Sequence, residues 1–113
     1  MKLKKENGRS FGWDKLQGWA YIDAKNSPNV TCALIITTGS HGRIKNKGSE
    51  VIYYVIEGEG EFYLKDSWIP ITKDDVIIVP KNTPYDFRAD NSELRLFIVH
   101  VPGYNPEDDE KVA

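Results

Sequence analysis

Val51-Ile52-Tyr53-Tyr54-Val55-Ile56-Glu57-Gly58-Glu59-Gly60-Glu61-Phe62-Tyr63-Leu64 is the stretch from which the fold is read. β-branched and aromatic residues fill both of its halves, and Gly58 interrupts them, which predicts two strands around a tight turn. Alternate residues of a strand face opposite sides. Val51–Ile56 is apolar or aromatic on both faces, so both faces are expected to be covered, by a closed barrel or by a partner subunit outside the sheet. A second stretch, Lys73-Asp74-Asp75-Val76-Ile77-Ile78-Val79-Pro80-Lys81-Asn82-Thr83-Pro84-Tyr85, repeats the pattern of turn residues, apolar run and turn residues.

Outward from these stretches, further short runs predict strands at Gly18–Asp23, Val30–Thr38, Gly60–Lys65, Trp68–Ile71, Asp75–Val79, Tyr85–Arg88 and Leu94–Val101. The intervening segments, among them Gly39–Ser49 and Lys81–Pro84, carry residues that suit turns or break a ladder. Trp13–Trp19 is the best helix candidate, and it is short and interrupted by Gly12 and Gly18. About eight short strands with close turns predict an all-β sandwich or barrel. With 113 residues the chain is expected to be one domain. Within it, residues 1–38 supply N-terminal strands, 39–102 the core, and 103–113 an acidic tail.

The formal net charge of −2 gives no positive field to draw nucleic acid. The basic run Lys2–Lys5 and the acidic run Glu107–Glu110 are read as solvated termini. Cys32 is the single cysteine, which excludes an internal disulfide, and its apolar run suggests a buried structural thiol. No N-terminal stretch resembles a signal peptide, and no apolar run approaches the ~20 residues that span a bilayer. A cytoplasmic protein with no membrane partner is the expectation.

The two quoted stretches resemble the paired signatures of the cupin superfamily, and Glu93–Pro102 continues the likeness as a last core strand. The resemblance covers roughly Gly39 to Pro102. It implies a small RmlC-like jelly roll, a single-domain double-stranded β-helix, commonly dimeric. In most such barrels three imidazoles and a carboxylate converge on a metal ion. Counted back from Gly58, the carboxylate position falls on Val51 and two His positions on Asn46 and Ile44; Pro80 places the last His position on Tyr85. A shorter gap would make Glu50 the carboxylate. Aliphatic, amide and phenol groups are poor substitutes for imidazole at a transition metal, so no metal and no other cofactor is expected. A relocated site of His41, Glu50 and His100 is the alternative, unsupported by any spacing.

The same positions predict a cavity wall of Ile44, Asn46, Val51, Tyr53, Tyr85, Phe87 and His100, suited to a small organic ligand such as a sugar or ring compound. Whether the chain is an enzyme is left open. The first reading is a metal-free, non-catalytic binding or dimerisation module, a homodimer with Trp13 and Trp19 at the contact. The second follows from metal-independent cupin-like sugar-nucleotide isomerases and epimerases, and casts Tyr85 and His100 as acid and base. The third is a metal-dependent cupin enzyme with atypical ligands.

Overall fold

In the computed structural model, which describes residues 2–112, eleven strands form two sheets. The strands are β1 (Arg9–Trp13), β2 (Leu16–Ile22), β3 (Thr31–Thr37), β4 (Ile44–Asn46), β5 (Glu50–Glu57), β6 (Glu59–Leu64), β7 (Ser67–Thr72), β8 (Val76–Val79), β9 (Tyr85–Ala89), β10 (Leu94–Val101) and β11 (Asp109–Lys111). The larger sheet runs β1-β2-β3-β10-β5-β8 and the smaller β11-β4-β9-β6-β7. All the named pairings are antiparallel. Consecutive strands repeatedly change sheet, as the jelly roll requires, and the sheets face each other without closing completely.

Strict alternation positions the interior. Thr31, Ala33, Ile35 and Thr37 of β3 point inward, beside Leu94, Leu96, Ile98 and His100 of β10 and Val51, Tyr53 and Val55 of β5. Register places Ile98 between Ala33 and Tyr53, and His100 between Thr31 and Val51. Phe62 and Phe87, paired across β6 and β9, close the layer from the opposite sheet and are fully buried. Each such ring contributes roughly 1.5–3 kcal/mol by leaving water.

Turn chemistry sets the register. Gly58 sits alone between β5 and β6 at φ +95°, where a Cβ would meet the Glu93 carbonyl oxygen. Lys65 and Asp66 join β6 to β7 at φ 53° and 64°, a two-residue hairpin turn whose twist matches the strands.

Three segments differ from expectation. The helix candidate Trp13–Trp19 is instead the end of β1, a two-residue turn at Asp14 (φ 52°) and Lys15, and the start of β2; Phe11 packs where a Cβ on Gly18 would sit. The long loop Gly39–Ser49 contains β4, too short to read by periodicity. The tail is not wholly solvated, because Asp109–Lys111 pairs with β4 while Glu107 and Glu110 stay exposed.

Candidate functional site

The open end of the interior is a cavity of about 480 Å³. Phe11, Trp13, Ile22, Ala33 and Ile98 give it an apolar wall, and His41, Tyr53, Tyr85, His100, Tyr104 and Asp109 supply the polar atoms. Asp23 and the cations Arg9 and Lys25 also line it.

Tyr53 comes from the larger sheet and Tyr85 from the smaller, and their hydroxyls meet at 3.3 Å. Edge-to-face and stacked contacts with Phe62 and Phe87 fix both rings. Burial first of all raises the pKa of each phenol, so both are protonated at neutral pH and can donate.

His41 lies in the loop after β3 and is held from several sides. Its backbone N–H donates to the Phe87 carbonyl at 2.9 Å, and its own carbonyl accepts from the Trp13 indole at 3.2 Å. The buried Asp86 carboxylate accepts from the Gly42 and Phe87 amides at 2.9 and 2.7 Å, anchoring the next peptide. The His41 ring packs against Tyr85, Phe87 and Trp13. Its Nδ1 donates to the Gly42 carbonyl at 2.8 Å, which leaves Nε2 as the unprotonated nitrogen. Burial lowers the His41 pKa, opposed by the Gly42 carbonyl and the charges of Asp86 and Asp109. The product is a neutral imidazole of fixed tautomer, a general base in kind.

His100 lies on the same cavity wall, its pKa lowered by burial and by His41 to about 4. It therefore holds a proton poorly, which makes it a weaker choice of base than His41. Of the residues expected at the cavity, Ile44, Tyr53, Tyr85 and His100 are in its lining and three others are not. Asn46 is buried beside the wall, its Oδ1 accepting from the Gly48 and Ser49 amides and its Nδ2 donating to Asp109. Val51 and Phe87 are core side chains that do not reach the lining. Trp13 lines the cavity and keeps 45% of its surface exposed, and Trp19 carries the Lys5 ammonium over its ring.

The family's metal does not fit. Its ligand positions hold Ile44, Asn46, Val51 and Tyr85, and among the described residues no three His, Cys, Asp or Glu side chains group to hold an ion. The relocated set fails as well, since Glu50 is exposed while the neighbouring Val51 points inward. Cys32 is half-buried, and burial raises its thiol pKa, the opposite of nucleophile activation.

Sequence reasoning missed Asp109, Tyr104, Phe11 and Trp13. Only the paired apolar residues Phe11 and Trp13, at strand spacing, left a readable signal.

Known proteins match along the same lines. The sequence profile of the cupin domain family matches residues 35–102. An uncharacterised protein of Methanocaldococcus jannaschii is 33% identical over 67% of this chain, which spans 62% of that protein's length. Streptomyces Pac13, described as a unique nucleoside dehydratase, has a solved structure 25% identical to this chain with TM-score 0.85, covering 99% of this chain and 90% of that one. A tyrosine-to-phenylalanine variant of Pac13 with uridine is 26% identical, TM-score 0.86, over 99% and 89%. The polyketide cyclase RemF of Streptomyces resistomycificus shares the fold at 16% identity, TM-score 0.82, over 100% and 85%.

Proposed function

This chain belongs to the cupin domain family, and we propose that it is a metal-independent acid–base enzyme that removes water from a small nucleoside-like substrate. The observation that carries this reading is the neutral, tautomer-fixed His41 sharing one cavity with two protonated phenols. The likeness to Pac13 supports it. That protein has been solved with uridine in variants replacing one histidine and each of two tyrosines, and His41, Tyr53 and Tyr85 are the same residue types in the same chain order.

The step balances without a cofactor. His41 Nε2 takes the proton from a carbon next to a carbonyl, and the released electron pair forms a carbon–carbon double bond. The hydroxyl on the next carbon leaves as water, taking the proton of a cavity phenol. The imidazolium then returns its proton to that phenolate, restoring both groups. Apolar walls limit competing solvent.

The test incubates the protein with nucleosides carrying a β-hydroxy carbonyl and follows loss of one water by mass spectrometry. His41→Gln and Tyr85→Phe should each lower kcat by roughly 100-fold or more. Unchanged turnover in both variants overturns the assignment. Stabilisation by uridine with no turnover of any β-hydroxy carbonyl compound would return the chain to a non-catalytic binding module.

A homodimer is the second part of the reading. Val76, Tyr54, Phe97 and Leu34 form one row across the outside of the larger sheet, and Ile78, Ile52 and Val99 a second. Val76 and Ile78 are 58% and 54% exposed on the edge strand β8. Such an apolar face favours a second copy. Light scattering should give twice the chain mass, and Ile78→Lys should give the monomer; a wild-type monomer sinks this part.

A further inference from the structure

The cavity holds a second polar cluster that the acid–base chemistry does not use. β11 lies along β4 and carries Asp109 to the wall. Asp109 Oδ1 accepts from Asn46 Nδ2 at 2.9 Å, and Oδ2 accepts from the Tyr104 hydroxyl at 2.7 Å. Tyr104 is itself fixed, since its backbone N–H donates to Thr31 Oγ1 at 2.9 Å and its ring packs 4.8 Å from His100. Three side chains from β10, the following loop and β11 therefore form one braced unit.

That unit has unused capacity. A carboxylate oxygen has two lone pairs, so each Asp109 oxygen keeps one acceptor site beyond its internal bond. The His100 ring makes no hydrogen bond within the protein among the described residues, although it lies in the cavity wall. A neutral imidazole offers one donor and one acceptor. Ile22, Ala33 and Ile98 line the cavity with them, and the charged Arg9, Asp23 and Lys25 line it too. Polar atoms aimed into an apolar cavity select a ligand with hydroxyls to pair with them, and reject the analogue without them.

We propose that Asp109 and His100 form a subsite for the vicinal diol of a pentose ring, with Tyr104 and Asn46 as positioning residues. The carboxylate accepts a hydrogen bond from one hydroxyl and the imidazole engages its neighbour. This inference rests on the nucleoside reading above and narrows it, from nucleosides in general to ribonucleosides. It also gives the end of the chain a purpose beyond closing the sheet edge.

The test is isothermal titration of the full chain with uridine, 2′-deoxyuridine and 3′-deoxyuridine. Wild-type protein should bind uridine about 10-fold or more tighter than either deoxynucleoside, the size of one hydrogen bond to a charged group. Asp109→Asn should weaken uridine about 10-fold and weaken by a similar factor the one deoxynucleoside that keeps the hydroxyl paired with Asp109, while moving the other deoxynucleoside by less than about 2-fold. Equal affinity of the wild type for all three overturns the diol subsite and leaves the nucleoside reading standing. A uniform loss for all three ligands in Asp109→Asn also overturns it, assigning Asp109 a structural role alone. If no nucleoside binds, the nucleoside reading falls and this inference with it. Should Asp109→Asn fail to fold, the wild-type comparison decides by itself.

Discussion

The motif-bearing centre of the molecule and its two flanks line one cavity by different means. The centre contributes Tyr53 and Tyr85 to the lining, backed by the core rings of Phe62 and Phe87, all four essentially removed from water and locked ring against ring. The flanks contribute Phe11 and Trp13 from the β1–β2 hairpin and Tyr104 and Asp109 from the tail, and Trp13 remains 45% exposed. Rigid acid groups come from the part that supplies most of the stability. The mouth comes from the hairpin and the tail, which bury less and are joined to the core by fewer buried side chains, the usual division between scaffold and recognition surface.

Three measurements would break or sharpen that contrast. The largest effect is expected at the centre: Phe62→Ala removes the ring that stacks on both Tyr85 and Phe87 and should cost about 3–5 kcal/mol in urea unfolding. A loss under about 1 kcal/mol would mean that the aromatic layer is not the core it looks.

The next lies at the seam. His100 has a folded pKa of about 4, below the ~6.5 of an unfolded chain, so the unfolded state binds its proton first as pH falls. Its stabilising contribution is complete above pH ~6.5 and is lost on acidification towards pH 4, on the order of 3 kcal/mol in total. His41, lowered in the same direction, adds to the trend. Unfolding free energy measured against pH should fall across this window, and His100→Asn should flatten the fall. An unchanged slope in that variant would move the effect elsewhere.

The smallest stability effect belongs to the flank. Trp13→Ala should cost no more than about 1 kcal/mol, because a half-exposed ring on a terminal hairpin has little burial to lose. It should still weaken uridine binding, since the ring covers His41 and its indole N–H holds the His41 carbonyl. A large stability loss with unaltered binding would reverse the contrast.

How much was legible follows the same line. The strands from Val51 to Val101 were readable because β-branched and aromatic residues fill each run, and because turn residues such as Gly58 and Pro80 punctuate them. Ile44, Tyr53 and Tyr85 could be assigned to the cavity from motif register and strand parity, and His100 only as a strand histidine that could serve as a base. Asn46 and Val51 obeyed the same parity and still missed the lining, since inward-facing and cavity-facing differ when a barrel is filled unevenly. The role of His41 was hidden: a lone loop histidine reads as a solvated residue until Asp86, Phe87 and Trp13 are seen to hold it.

Local order in the chain determined the all-β class, the cupin core and the absence of imidazoles at the family's metal positions, because each depends on residue type and on spacings of a few residues. Tertiary structure alone decided that His41 meets Tyr85, that Tyr53 and Tyr85 touch across two sheets, and that an acidic tail delivers Asp109 into the interior. Those encounters join residues dozens of positions apart, and the strand pairing that creates them depends on the whole sheet rather than on any segment's own pattern.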